Sequence, residues 1–262
     1  MAPLFLLLFL GLGLAAFALL DRDDDAEEPD PGPEPEPQRL IGTSGNNLLI
    51  GGPGDDTIFG MAGDDVLVGR GGDNALFGGD GSDEIWGGTG NDLMRGGAGD
   101  DLLVSLQGSD TLHGDLGNDE LLAVDGPDRL GFPDLVFGGF GNDLLVGDDG
   151  DTLVGGEGTD TFVVVVFDPE AAPVVIRDLD PETERFEVVA DSSAFPILTQ
   201  SDLSYVIDGE RGQVQVQLLG KTVAILENTT AVPQNAELFR EDALATLESY
   251  RATEAGFRAP AA

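Results

Sequence analysis

Aspartate recurs along this chain with a nine-residue beat. Asp56, Asp65, Asp83, Asp92, Asp101, Asp110 and Asp119 are spaced by nine or eighteen, and Asn47 and Asn74 fill two beats that lack a carboxylate. If the fold repeats every eighteen residues, these side chains stack in two columns. Asp65, Asp83, Asp101 and Asp119 share one column; Asp56, Asp92 and Asp110 share the other, interrupted by Asn74. Unit charges about 5 Å apart repel by roughly 3 kcal/mol at an effective dielectric near 20. A hard divalent cation between successive carboxylates reverses that sign. Calcium suits such a column best, because it accepts 6–8 oxygens in flexible geometry and can draw on backbone carbonyls as well as carboxylates. Magnesium demands tighter octahedral geometry. Zinc favours imidazole or thiolate, and the chain has one His and no Cys.

The elements that position these residues are nonapeptides. Between residues 42 and 122 the chain reads GTSGNNLLI, GGPGDDTIF, GMAGDDVLV, GRGGDNALF, GGDGSDEIW, GGTGNDLMR, GGAGDDLLV, SLQGSDTLH and GDLGNDELL. Position 4 is always Gly, position 1 is Gly in all but one, and position 8 is always Leu, Ile or Met. Glycine turns the chain, because it takes positive φ without a Cβ clash. The last three residues form a very short strand with position 8 facing one way and positions 7 and 9 the other. If one nonad crosses one sheet and the next returns through a second, two nonads make a coil and strands stack about 4.8 Å apart. Leu49, Ile58, Leu67, Leu76, Ile85, Met94, Leu103, Leu112 and Leu121 then face inward. The phase loosens after residue 122. Residues 123–131 fit weakly through Gly126, Asp128 and Leu130, and a six-residue piece with Asp134 and Val136 comes next. Residues 138–146 restore the pattern, 147–154 are one residue short, and 155–163 close the array, adding Asp143, Asp151 and Asp160 to the candidate ligands. Asp55, Asp64, Asp73 and Asp100 at position 5 are expected to be solvated.

The repeat resembles the nonapeptide of the RTX (hemolysin-type) calcium-binding family. The resemblance implies a right-handed parallel β-roll, each Ca²⁺ held between the turn of one nonad and that of the second nonad on. It makes Asp65/Asp83, Asp83/Asp101, Asp101/Asp119 and Asp92/Asp110 the best pairs, and pairs containing Asn47 or Asn74 weaker. It further implies an exported protein that folds on meeting millimolar calcium.

Charge and composition agree with a cation-filled fold. Acidic residues number 50 against 12 basic, a net charge of −38, which disfavours nucleic acid or an anionic membrane surface as partner. A hydrophobic share of 41% argues against wholesale disorder. Residues 3–20 are uncharged and apolar; as a helix they would run about 27 Å, which leaves a membrane anchor and a cleaved signal both open. Residues 21–41 are an acidic, Pro-rich linker, expected to be extended and solvated. Beyond the array, 42–163, residues 164–262 are expected to form a small, mostly-β cap. Its strands are placed at 161–167, 174–176, 185–190, 203–207, 214–219 and 222–226, with one short helix at 236–250. The fold expected is therefore all-β.

Alternating nonads leave Leu48, Ile50, Val66, Val68, Trp86, Leu102, Val104 and Leu122 on the outer face of one sheet. Such an apolar face is expected to be covered by the C-terminal strands or helix, or else to dock a protein partner or second copy. No H-E-x-x-H or G-x-S-x-G motif is present, and His113 reads as an incidental surface residue. Asp178, Asp180, Glu182 and Glu184 are the nearest cluster for a carboxylate-based polysaccharide-acting enzyme, though a calcium-capping or solvated turn is the plainer reading. The expectation is a non-enzymatic protein binding several Ca²⁺ ions, outside the cell or in the envelope of a Gram-negative bacterium, tethered by residues 3–20 if these are not cleaved. A surface adhesin in which calcium is purely structural is the alternative.

Overall fold

The computed structural model describes residues 36–125, 132–168, 170–190, 199–234 and 237–239. The apolar segment at 3–20 lies outside them. Among the described residues no helix is long and apolar enough to cross a membrane.

The short strands expected at the end of each nonad stack into two sheets that face each other. The first runs through Arg39–Ile41, Thr57–Ala62, Ala75–Asp80, Leu93–Ala98, Thr111–Leu116, Leu135–Phe140, Thr152–Glu157 and Val174–Ile176. The second runs through Leu48–Ile50, Val66–Gly71, Glu84–Thr89, Leu102–Ser105, Glu120–Ala123, Leu144–Gly147, Thr161–Val166, Arg185–Ala190 and Glu237–Phe239. All these neighbours pair in parallel. The chain alternates between sheets, so partners such as Leu67 and Ile85 are eighteen residues apart. Arg39 pairs with Thr57 in the same register, so the first rung lies within the stretch read as linker.

Position 8 points inward at every rung. Ile58, Leu67, Leu76, Ile85, Met94, Leu103, Leu112 and Leu121 are fully buried, and Val136, Leu145, Leu153, Phe162, Ile176 and Phe186 continue the two columns. Each such side chain contributes about 1.5–3 kcal/mol on burial. One residue per rung per sheet is a thin core.

The roll tolerates irregular turns because its register is held at the strands. Leu135 pairs with Thr111, twenty-four residues earlier, and Thr152 pairs with Leu135, seventeen residues earlier. The weak nonad at 123–131 and the short piece after it are thus one nonad with six extra residues in its turn. Ala123 opens it, aligned with Ser105, and Asp134 takes its position 6. Glycine is required at position 4, where Gly81, Gly99 and Gly117 take φ of 132°, 132° and 142°.

In the cap, both sheets continue. Lys221–Leu226 pairs in parallel with Val174–Ile176, and Gln213–Leu218 and Leu203–Asp208 extend it as an antiparallel meander. Leu219 and Gly220 both take positive φ at its tight turn, the geometry that suits a two-residue hairpin. The helix expected at 236–250 is corrected at its start: Glu237–Phe239 is a strand pairing with Glu187–Val189. Its three residues pair with the edge strand at Glu187–Val189, and that pairing outweighs helical periodicity there. The remainder lies outside the described residues.

The outer face of the second sheet is not an open apolar surface. Trp86, Val104 and Leu122 are only 3–5% exposed and cluster with Val68, Leu102 and Val146, while Leu48 at the first rung is exposed. On the first sheet, Phe59 stacks on Phe77 at 5.0 Å and His113 on Phe137 at 4.8 Å. Arg39 sits over the Phe59 ring.

Candidate metal-binding columns

Position 6 ends the Gly-rich turn and begins the strand, so its side chain is held where successive coils meet. Asn47, Asp65, Asp83, Asp101, Asp119, Asp143 and Asp160 form one column. In each step the backbone N–H of one residue donates to the side-chain Oδ1 of the next, at 2.6–2.9 Å. The second column is Asp56, Asn74, Asp92, Asp110, Asp134 and Asp151, entered from the N–H of Gln38, with bonds of 2.7–2.9 Å. The carbonyl of each residue is also engaged, as where Asp65 accepts from Glu84 N–H and Asp83 from Leu102 N–H.

This clamp uses one carboxylate oxygen and leaves the other. Oδ2 of Asp65, Asp83, Asp92, Asp101, Asp110, Asp119, Asp143 and Asp160 is buried without a hydrogen-bond partner. Burial, the largest cause in each case, pushes the carboxyls up: Asp83, Asp92 and Asp143 to about 6, Asp110 and Asp119 to about 7, Asp101 and Asp134 to about 8, and Asp151 to about 9. Charges in neighbouring coils add to this, Asp119 and Asp83 on Asp101 among them. An orphaned, desolvated oxygen in a stack of like groups calls for an explanation in terms of a partner.

The glycine at position 1 makes room for that oxygen. At Gly60 a Cβ would lie 2.5 Å from Asp65 Oδ2 and 2.6 Å from the Gly78 carbonyl. The Gly78 carbonyl of the next coil and Asp65 Oδ2 therefore border the same space. Among the described residues no three His, Cys, Asp or Glu side chains group to hold a metal by themselves. Carboxylate and backbone carbonyl oxygens are the donors at hand, and oxygen donors of that kind suit calcium.

Asn74 fills its rung differently. Its Nδ2 donates to Asp92 Oδ1 at 2.9 Å and to the Gly72 carbonyl at 3.0 Å, so there an amide bonds the carboxylate of the next coil directly.

Position 5, read as solvated, is exposed but bonded. Asn46, Asp64, Asp100, Asn118 and Asn142 each accept the N–H of position 5 in the following coil, as do Asp55, Asp73 and Asn91, at 2.7–3.1 Å. The side chains at position 5 thus reach forward and those at position 6 reach back.

Two members of the columns escape the nine-residue count. Asp134 lies beyond the insertion, yet Asp134-Leu-Val-Phe is the end of an ordinary nonad. Glu184, 5% exposed, precedes Arg185-Phe-Glu, which pairs with Thr161-Phe-Val. Leu179 and Glu182 stand where positions 1 and 4 carry Gly, so the nonapeptide signature does not reach it. The insertion brings in Asp125, whose Oδ2 accepts the N–H of Phe132 while Oδ1 is buried without a partner.

The model of the RTX calcium-binding nonapeptide repeat matches this chain in four copies, at residues 41–76, 68–103, 95–130 and 131–162. Comparison with curated proteins finds no match. Among solved structures the chain is similar to the extracellular lipase LipA from Serratia marcescens, at 17% identity and a TM-score of 0.26. That similarity covers 79% of this chain and 40% of the lipase. Residues 41–162 are an array of RTX calcium-binding nonapeptide repeats, built as a parallel β-roll.

Proposed function

We propose that the roll takes up several Ca²⁺ ions between successive coils and that this uptake completes its folding. The proposed ligands are Asp65, Asp83, Asp101, Asp119, Asp143 and Asp160 in one column and Asp56, Asp92, Asp110, Asp134 and Asp151 in the other. Asn47 and Asn74 make weaker steps, and turn carbonyls supply the remaining oxygens. The observation that carries the reading is the file of buried Oδ2 atoms without partners. Each would cost about 1–3 kcal/mol if left unanswered, and a thin core has little to set against so many. Calcium supplies charge neutralisation and coordination; the chain's own backbone already fixes each carboxylate's orientation through Oδ1.

The protein acts by binding rather than by catalysis, outside the cell or at the bacterial envelope, where calcium is millimolar. Residues 3–20 serve as its anchor or export signal. Circular dichroism of the chain during calcium titration tests the central reading. The expected result is a cooperative gain of β signal complete below ~10 mM, the upper range of extracellular modules. A spectrum unchanged through that range would overturn it.

A further inference from the structure

One carboxylate column ends with the repeats and the other does not. In the second column the terminal residue, Asp151, is succeeded in register by buried Val174, and its Oδ2 is satisfied by the N–H of Asp148 at 2.8 Å. In the first column the last repeat residue, Asp160, keeps a buried Oδ2 with no partner, although the residue is only 1% exposed. Glu184 occupies the next register position in that column. Its carboxylate faces the backbone of Asp160 in the preceding coil. It also accepts the N–H of Asp180, four residues earlier, at 2.7 Å, as Asp56 accepts that of Gly52. Arg185 N–H returns to the Asp160 carbonyl, and Phe186 takes the inward position with full burial. Residues 177–184 contain no Gly and lie beyond the matched repeats, yet they set an acidic side chain, one methylene longer, at the position-6 register. Asp178 adds a third carboxylate, held on the N–H groups of Gly155 and Gly156 at 2.9 and 3.0 Å in the turn that ends at Asp160.

We propose that the Asp160–Glu184 step is a further calcium site, made half by the last repeat and half by the cap, and that the ion fastens the cap to the roll. This rests on the reading of the roll as a calcium binder, and it assigns to the cap a ligand that the repeats do not contain. Asp178 stands beside the step as additional negative charge that strengthens ion uptake there. The cap strand Arg185–Ala190 begins directly after Glu184, so a bound ion holds its first residue against Thr161.

Calcium stoichiometry and hydrogen exchange of the full chain test this together. In Glu184→Gln, which keeps length and hydrogen-bond acceptor, calorimetric titration and native mass spectrometry are expected to count one ion fewer. Calcium should then no longer slow exchange at 185–190, while it still slows exchange at 66–69 and 84–87. An unchanged ion count with full calcium-dependent protection at 185–190 would overturn the site while leaving calcium binding by the repeats intact. A parent chain that takes up no calcium would overturn both. If Glu184→Gln fails to fold, Asp178→Asn decides: this exposed change is expected to weaken the last ion several-fold, and unaltered affinity at every step overturns the proposal.

Discussion

At the scale of single residues, the two oxygens of one aspartate have different tasks. Asp101 Oδ1 holds the N–H of Asp83, while Oδ2 is buried without a partner. Removing the charge but not the shape separates them. Asp101→Asn is expected to stabilise the calcium-free roll, by on the order of 1–3 kcal/mol, and to raise the calcium concentration at half-saturation by several-fold. Thermal melts in chelator and a calcium titration check the two signs; a variant weaker in both conditions would contradict this division. Backbone strain is equally local. Met61 and Arg70 occupy position 2 at φ of 90° and 83°, where Gly79, Gly88 and Gly97 stand in other coils. Met61→Gly should therefore raise stability by about 1 kcal/mol, seen as a higher denaturation midpoint with no change in calcium stoichiometry.

At the scale of the coil, Asn74 divides its column. Asn74→Asp removes the two amide donations to Asp92 and Gly72 and adds a buried charge. Without calcium its melting temperature should fall by several degrees, about 2–4 °C for each kcal/mol lost in a chain of this size; with calcium it should bind at least one ion more. Much of the coil is legible in the sequence, because Gly at position 4 and an apolar residue at position 8 recur in every nonad from 42 to 122, position 6 is Asp or Asn throughout, and each answers a steric or electrostatic need. The insertion is not, since six residues in a turn break the count without disturbing the strand register at Leu135. Glu184 is hidden for a related reason: it keeps the position-6 role while Leu179 replaces the position-1 Gly. The strand at Glu237–Phe239 reads as helix from its own residues, because three residues at a sheet edge take their form from Glu187–Val189, which local periodicity does not report.

At the scale of the molecule, the columns give the roll an inverted response to pH. Asp101 and Asp134 titrate near 8 in the folded chain against an ordinary value of 3.8, burial being the main cause. The folded state therefore holds more protons than the unfolded one between about pH 4 and 8, and its stability falls as pH rises through that window. In chelator the melting temperature is expected to be higher at pH 5 than at pH 8. In saturating calcium the order should reverse, because protons then compete with the ion; equal melting temperatures in chelator would count against the buried columns. The opposed reach of positions 5 and 6 bears on how the molecule yields to tension. Every inner coil is tied to both neighbours by side-chain-to-backbone bonds running in opposite directions, so no plane between coils offers a weak seam. A chain pulled from one end should unwind like thread from a spool, one winding at a time. Each release would lengthen the tether by roughly 60 Å, the extended reach of eighteen residues, and the rupture force would step up where ions are seated.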